Sequence, residues 1–415
     1  MITGHEKPTN WKQMNREERG RLINKNLKIL KTPHGWKVQS QKGNNNYYFV
    51  SYNKHKSKCT CPDCQIRRNK CKHIYAVEFY IKERIDDEGN KVRTRGIKVS
   101  YGQEWKAYDK AQTNEKLLFM KLLKDLCGNL IQPEYKFGRP QLPFSEMVFA
   151  SVLKVYSTFS LRRFMSDIKI AEHLELIDSI PSYSSIGHFM QKGELAVTLK
   201  YLIKLTSLPL KEVEKDFAVD SSGFATSRFA RWFDYKWGKE KKQKVWLKAH
   251  ICSGVKTNII TSVEVTEGRG ADSPQLSSLI EETSQNFKLD EVSCDRAYSS
   301  RKNLELIEEA GALPLIPFKR NVTGRSGGSP IWRKMYAYFL YKHDDFLEMY
   351  HKRSNVETCF HMIKTKFRDN LRSKTKTAQI NELLLKILCH NICCVIQEMA
   401  EMGIRGEFIL EERGK

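Results

Sequence analysis

The sequence predicts a mixed α/β fold, with a five-stranded sheet in its C-terminal half, a helical segment before it and a small cysteine-bearing module at the start. Three observations predict this arrangement. Strand-type alternation begins at Lys215 and is interleaved with helical periodicity. Residues 115–210 carry helical periodicity broken by short turns. Four cysteines lie between Cys59 and Cys71, as expected for a metal-binding cluster in a reducing compartment.

Changes of composition along the chain predict its domain boundaries. At 415 residues the chain exceeds the roughly 250–300 residues that one hydrophobic core usually serves, so we expect several domains. We predict a metal-binding module in residues 1–85, a polar linker in 86–114, a helical segment in 115–210, an α/β domain in 211–400 and a tail in 401–415. The helices could include a helix-turn-helix DNA reader, and plain scaffolding is the alternative.

The charge of the chain indicates a polyanionic partner. The formal net charge is +23 and the pI is about 9.4, which suits nucleic acid better than a membrane surface. No run of 18 or more apolar residues is present, and the first residues lack the apolar run of a signal peptide. We therefore expect a cytoplasmic protein that does not enter a membrane.

The first module has the ligand pattern of a closed zinc site. Residues 36–41 and 47–52 alternate like the two strands of a hairpin, and a helical pattern begins at His73. Between them, Cys59-x-Cys61 and Cys71-x-His73 supply three thiolates and one imidazole, a set that suits tetrahedral Zn²⁺. Cys64 could replace one ligand, and a reduced cysteine cluster without metal is the other alternative. The predicted module is ββα with a structural zinc ion.

The order of elements after Lys215 predicts the topology of the α/β domain. Three strands are followed by a helix, a strand, a helix, a strand and a final helix; the strands cover residues 216–224, 245–254, 258–268, 291–298 and 313–318. This is the element order of an RNase H-like fold, in which the first and fourth strands are neighbours.

Two aspartates at strand positions and one helical glutamate are the candidate catalytic residues. Asp220 lies in the first strand, Asp295 ends the fourth, and Glu357 lies on the last helix. We expect the three carboxylates to converge, which requires divalent cations, and oxygen ligands favour Mg²⁺ or Mn²⁺. The alternative is that the aspartates only cap turns. Asp272 is a rival carboxylate, but it lies at a helix start and is expected to be an N-cap.

Residues 350–364 carry a polar stripe and an apolar stripe at helical spacing. Tyr350, Arg353, Glu357 and Lys364 stand at offsets of zero, three, seven and fourteen, so they project together from a helix. The apolar stripe consists of Val356, Phe360, Ile363 and Phe367. A plain surface helix with an Arg–Glu pair would show the same spacing.

This Y-x2-R-x3-E-x6-K spacing resembles the signature of the Y-R-E-K group of insertion-sequence DDE transposases, and Asp295-x-x-Tyr298 resembles their second-aspartate motif. The resemblance implies cutting and joining of DNA strands at terminal inverted repeats, with Asp220, Asp295 and Glu357 holding Mg²⁺. It also implies phosphate contacts by Arg353 and Lys364, a stacking or hydrogen-bonding role for Tyr350, and a homodimer on paired ends. A non-catalytic descendant and a nuclease that does not join strands are the alternatives.

The finger region resembles a SWIM-type zinc finger, with the residues CTCP at 59–62 and CKHI at 71–74. This resemblance implies zinc at Cys59, Cys61, Cys71 and His73.

Basic residues and aromatics are interleaved between the first two strands of the α/β domain, a pattern that suits phosphates and unpaired bases. A solvated hairpin is the alternative. The predicted DNA contacts in this stretch are Trp237, Lys241, Lys242 and Lys244.

Overall fold

The computed structural model describes residues 14–27, 29–32, 35–40, 47–51, 57–67, 69–82, 84–85, 91–92, 104–128, 130–134, 137, 141–226, 246–319, 322–325 and 327–408. The chain forms two compact units, Met1–Lys98 and Val99–Lys415.

The first unit is a four-stranded antiparallel sheet with helices. Its elements are α1 (Arg16–Asn26), β1 (Ile29–Thr32), β2 (Gly35–Gln39), β3 (Tyr47–Ser51), β4 (Lys58–Cys59), α2 (Pro62–Arg67), α3 (Lys72–Lys82), β5 (Arg84–Ile85) and β6 (Lys91–Val92). The strand order is β1-β2-β3-β4, and β5 pairs with β6 separately. Pairing of β2 with β3 confirms the predicted hairpin. The predicted ββα arrangement is part of a larger fold that also includes β1, β4 and α1.

Five helices open the second unit: α4 (Trp105–Gly128), α5 (Phe144–Ser157), α6 (Leu161–His173), α7 (Tyr183–Phe189) and α8 (Leu195–Ser207). The helical prediction for residues 115–210 is therefore confirmed. The prediction of a linker up to residue 114 was wrong from Trp105 onward. The early turns of α4 are mostly exposed and bury Ala111 alone, so they lack an apolar stripe although their Lys, Ala and Gln residues are good helix formers.

The five-stranded sheet of the second unit has the order β11-β10-β7-β8-β9. Its strands are β7 (Asp216–Ala225), β8 (Trp246–Gly254), β9 (Ile260–Glu267), β10 (Glu291–Cys294) and β11 (Leu313–Leu315). The β7-β8-β9 pairs are antiparallel, whereas β10 is parallel to both β7 and β11. The predicted element order and the predicted contact between the first and fourth strands are both confirmed.

The remaining helices are α9 (Leu276–Ser284), α10 (Arg301–Glu309), α11 (Pro330–Tyr341), α12 (His343–Tyr350), α13 (Ser354–Phe367) and α14 (Lys376–Glu401). Alternation along β7 sends Phe217 and Val219 into a core with α9 to α12, and Ala218 into a core with α13 and α14. This alternation was predicted from the sequence.

The helices α4 to α8 share one continuous core with the sheet. Buried residues of these helices belong to the same apolar cluster as residues of β8, β9, α13 and α14. Lys366 of α13 also donates a 2.5 Å hydrogen bond to Glu115 of α4. The boundary drawn at residue 210 therefore does not separate two cores, because α14 packs on both groups of elements.

Helix α14 is apolar and central. In the part of the chain that the structure describes, it is the one helix long and apolar enough to cross a membrane by length and composition, and 78% of its most apolar window is buried inside the protein. Cys389 and Cys394 are buried on it.

Candidate functional site

Asp220 lies on β7, and Asp295 directly follows the end of the neighbouring parallel strand β10. Val219 pairs with Cys294, so the residues that follow them, Asp220 and Asp295, lie side by side. Asp220 is mostly buried, with 20% of its side chain exposed, whereas Asp295 is exposed. Each carboxylate accepts one hydrogen bond from the next backbone N–H, at 2.8 Å from Ser221 and 2.5 Å from Arg296. The sheet therefore presents two carboxylates side by side.

Arg353 joins Asp220 to the third predicted carboxylate. Its Nη1 donates a 2.7 Å hydrogen bond to Asp220 Oδ2, and its Nη2 donates a hydrogen bond to Glu357 Oε1. The guanidinium is only 18% exposed, but Glu357 is 59% exposed. Arg353 thus holds a strand residue and a helix residue together, and its single positive charge offsets part of their combined negative charge.

Burial raises the pKa of Asp220, and the negative charge of Asp295 raises it further against the opposing effects of Ser221 and Arg353. Below the aspartates, the hydroxyl of Tyr298 is buried and has no hydrogen-bond partner among the described residues. Burial raises the pKa of Tyr298, and the nearby charges of Asp220 and Asp295 contribute to the rise. The site therefore favours any species that adds positive charge beside Asp220 and Asp295.

The donor set suits a hard divalent cation. Carboxylate oxygens are the ligands that Mg²⁺ and Mn²⁺ prefer. Asp220, Asp295 and Glu357 do not have their oxygens gathered within 4.8 Å of one another. Arg353 occupies the space between Asp220 and Glu357 that a shared cation needs. The three side chains therefore have the chemistry of such a site, but with Arg353 bound to Asp220 and Glu357 they do not form a ligand cluster in this structure.

The polar stripe predicted for residues 350–364 is divided between two helices. Helix α12 ends at Tyr350, a 3₁₀ turn covers His351–Arg353, and α13 begins at Ser354. The Arg353 guanidinium carbon is 5.9 Å from the centre of the Tyr350 ring. Lys364 donates a 2.7 Å hydrogen bond to Ser222, two residues beyond Asp220 on the same strand. Lys364 therefore contacts the strand that carries Asp220, two residues beyond that carboxylate.

The apolar stripe of this segment is confirmed. Its members, Val356, Phe360, Ile363 and Phe367, are all buried.

The prediction that Asp272 caps a helix was wrong. Asp272 precedes a 3₁₀ turn but makes no capping hydrogen bond. It forms an ion pair with Lys248, and its Oδ1 lies 3.4 Å from Nδ1 of the buried His250. Asp272 thus stands at the N-cap position of the turn, but its carboxylate pairs with Lys248.

Lys352 was not singled out from the sequence, yet it anchors the segment that carries Glu357. Its Nζ lies 2.6 Å from Asp216 and 2.8 Å from Glu291. Asp216 and Glu291 face each other at the starts of β7 and β10. Burial disfavours the charged form, but the hydrogen bonds and charges of both acids raise the pKa of Lys352. Two features of the sequence indicate this contact: an acidic residue at the start of each of the two strands, and the basic run His351–Arg353 just before α13.

Replacing Lys352 with Met is expected to lower the free energy of unfolding by about 1–2 kcal/mol, because two partly buried carboxylates would repel each other without a cation. Lys376→Met is the matched control, since its pair with Glu267 is largely exposed. Urea unfolding measures both variants. The loss should shrink when Asp216→Asn and Glu291→Gln are already present. An unchanged midpoint in Lys352→Met would contradict the contact.

The first unit contains a compact group of thiols around an imidazole. Among the described residues, one group of metal-binding side chains has its ligand atoms all within 4.8 Å of one another, and it consists of Cys59, Cys61, Cys71 and His73. All four are buried. His73 Nδ1 lies 3.8 Å from Cys59 Sγ and 3.9 Å from Cys71 Sγ. The four predicted ligands are thus brought together, with Nδ1 as the inward nitrogen.

The chemistry of this group fits Zn²⁺. Hydrogen bonding to Cys61 raises the pKa of the Cys59 thiol, while hydrogen bonds from Cys59 and Cys71 lower the pKa of Cys61. Three close sulfurs therefore cannot all be thiolates without a cation, and zinc supplies one. Cys64 is partly exposed and lies outside the group. The opposite nitrogen of His73, Nε2, is buried without a partner in the described structure.

The predicted DNA contacts Trp237, Lys241, Lys242 and Lys244 lie outside the described residues.

Two protein-family models match parts of the chain. Residues 211–392, which contain Asp220, Asp295 and Glu357, match the family model of the transposase DDE domain. Residues 48–82, which contain the three cysteines and His73, match that of the SWIM zinc finger. No curated protein and no solved structure matches the chain. The chain therefore carries a transposase DDE domain preceded by a SWIM zinc finger.

Proposed function

We propose that this chain is a DDE transposase of the Y-R-E-K group that cuts and joins DNA strands at the ends of an insertion sequence. The observation that carries the proposal is the position of Asp220 and Asp295 on neighbouring parallel strands, with Glu357 linked to Asp220 through Arg353. The match of this segment to the transposase DDE domain supports it. The strand order β11-β10-β7-β8-β9 supports an RNase H-like fold for the domain.

In this proposal Asp220, Asp295 and Glu357 hold two Mg²⁺ or Mn²⁺ ions. Such ions, when bound, would supply Lewis-acid chemistry to the attacking and leaving oxygens of a phosphodiester. Asp220 and Asp295 supply rigid ligands because both follow paired backbone in the sheet. Glu357 is the adjustable ligand, since it is 59% exposed and lies on a helix.

Arg353, Lys364 and Tyr350 would position the DNA. A guanidinium that releases Asp220 and Glu357 can donate two hydrogen bonds to phosphate oxygens in the same fork geometry. Burial lowers the pKa of Lys364, and contact with a phosphate would favour its charged form. Tyr350 lies against Arg353 and would stack or hydrogen-bond beside the same phosphate.

The basic stretch between β7 and β8 would extend the DNA contact. Ala225 and Trp246 pair where β7 ends and β8 begins, so the intervening chain starts at the carboxyl end of the strand that carries Asp220. We propose that Trp237, Lys241, Lys242 and Lys244 contact the DNA from there. The net charge of +23 supports such contacts with phosphates.

We further propose that the protein acts in the cytoplasm as a homodimer, with one subunit on each terminal inverted repeat. Joining two ends requires two active sites in one complex, which a symmetric dimer supplies.

The test is a strand-transfer assay with the purified chain, Mg²⁺ and DNA fragments bearing the inverted repeats that flank its gene. We expect cuts at the repeat ends and joining of those ends to a target plasmid. Replacing Mg²⁺ with Ca²⁺ gives a control in which DNA binding persists. Cutting without joining would identify a nuclease, and binding with neither reaction would identify a non-catalytic DNA-binding protein.

A further inference from the structure

The four-stranded sheet of the first unit has an inner face and an outer face. Val38 and Val50 point inward and are buried with Ile74 of α3. Their neighbours Lys37 and Tyr47 point outward and are exposed, because successive side chains in a strand alternate. The zinc-ligand group lies in the inner core, so the outer face is a separate surface.

Aromatic and aliphatic side chains line up across this outer face. Leu30, Lys37 and Phe49 occupy paired positions on β1, β2 and β3. Tyr47 is two residues from Phe49 on the same face and is 40% exposed, while Leu30 is 49% exposed. Two rings and a lysine are thus held on one flat surface.

The ring of Phe49 lies over Gly35. A Cβ added at Gly35 would come within 2.8 Å of the ring, so glycine is what allows the ring to lie across β2. The backbone N–H of Phe49 donates a 2.9 Å hydrogen bond to Thr60 Oγ1. This bond ties β3 to the residue that follows β4.

The charge of this region is of one sign. From Arg19 to Pro62 the sequence contains ten Lys and Arg residues and no Asp or Glu. All four strands fall within that interval. A protein partner that buries this face would have to neutralise many lysines, whereas a nucleic-acid strand offers one phosphate for each base.

We infer that the outer face of this sheet binds single-stranded DNA, with unpaired bases stacked on Tyr47 and Phe49 and a phosphate held by Lys37. An antiparallel sheet that presents one exposed ring, Tyr47, beside the half-buried ring of Phe49 and nearby cations is a surface on which unpaired bases can stack. Paired bases present no free faces to it, so duplex DNA would gain only the phosphate contacts. The inference does not depend on the metal chemistry of the second unit.

The test compares Tyr47→Ala, Tyr47→Phe and the double variant Tyr47→Ala/Phe49→Ala in the full zinc-loaded chain. Binding to a labelled oligo-dT and to a duplex of equal length is measured by fluorescence anisotropy without Mg²⁺, at one salt concentration. We expect the double variant to lose about 5- to 100-fold in oligo-dT affinity and to keep its duplex affinity. Tyr47→Phe should bind like the wild type because it keeps the ring.

Tyr80→Ala is the matched control, since Tyr80 is 39% exposed on α3, which packs on the inner face. Zinc content confirms that each variant is folded. Oligo-dT carrying 5-iododeoxyuridine should cross-link to a peptide that contains Tyr47 or Phe49. Equal losses for oligo-dT and duplex, wild-type binding by Tyr47→Ala, or cross-links confined to the second unit would overturn the inference. The strand-cutting assay measures the second unit separately, so the proposed function would stand even if the outer face did not bind single-stranded DNA.

Discussion

Glu357→Gln is expected to abolish DNA cutting and joining without destabilising the protein. The substitution keeps the size of the side chain but removes the negative charge that a bound cation needs. We expect the variant to lose ~4 kcal/mol of transition-state stabilisation, which lowers the rate about 10³-fold. Stability should be nearly unchanged, since Glu357 is 59% exposed and surface ion pairs contribute little. The assay is Mg²⁺-dependent cutting and joining of end-bearing DNA.

Asp220→Asn and Asp295→Asn should be about as inactive as Glu357→Gln. Groups that hold the same ions act as a unit, so the triple variant should be little worse than each single one. Affinity for DNA should be retained, because the phosphate contacts come from basic residues. Asp220→Asn keeps a side-chain oxygen that can accept the hydrogen bond of Arg353 and removes a charge that burial disfavours, so neither aspartate variant is expected to lose much stability.

Asp290→Asn is the control for these carboxylates. Asp290 is an exposed aspartate at the opposite end of the strand that leads to Asp295, and its side chain contacts only Lys288 among the described residues. It should retain wild-type activity. Wild-type activity in Glu357→Gln, or a loss in Asp290→Asn as large as that in Asp295→Asn, would refute the assignment.

The sequence was sufficient to predict the five strands and the contact between the first and the fourth. Alternation along residues 216–224 places Phe217 and Val219 on one face of the sheet and Ala218 and Asp220 on the other. This pattern is local, so it can be recognised in a short strand without knowledge of its distant contacts. The order of strands and helices then limits the possible topologies, because parallel connections are right-handed. The adjacency of Asp220 and Asp295 follows from those two rules.

The partners of the charged side chains could not be predicted in the same way. Arg353 reaches Asp220 across 133 residues of sequence, and Lys352 reaches Asp216 across 136. No local periodicity encodes such distances. The Arg353–Glu357 pair, which belonged to the alternative interpretation of this segment, is compatible with the spacing because residues four apart meet on adjacent turns. The spacing could not show that the same guanidinium also binds Asp220.

The core that the helical segment shares with the sheet could not be predicted for a related reason. The apolar stripes of the segment were visible, but the surface they cover belongs to α14, which comes more than 160 residues after α8 begins. Glu115 illustrates this, since it accepts hydrogen bonds from both Tyr156 and Lys366. A stripe predicts that a face is buried, but it does not identify the element that buries it.

The zinc ion of the finger is expected to be required for the fold of the first unit. Its described core consists of ten buried residues, of which three are Cys59, Cys61 and Cys71. So small an apolar core gives limited stability, and small domains of this kind commonly depend on a metal. Binding of structural zinc by finger peptides contributes about 10–16 kcal/mol, which becomes folding free energy when the apo form is unfolded.

Cys71→Ser and Cys64→Ser are the variants that test this requirement. Cys71 is fully buried and faces His73 Nδ1, whereas Cys64 is partly exposed and lies outside the ligand group. We expect Cys71→Ser to hold less than about half an equivalent of zinc and to be cleaved rapidly by trypsin within residues 1–98. Cys64→Ser should bind one zinc ion and resist cleavage like the wild type. Both variants should keep the second unit intact, because it has cores of its own. Full zinc occupancy in Cys71→Ser, or its loss in Cys64→Ser, would show that the ligand set is wrong. An intact first unit after chelation would show instead that the metal is bound without supporting the fold.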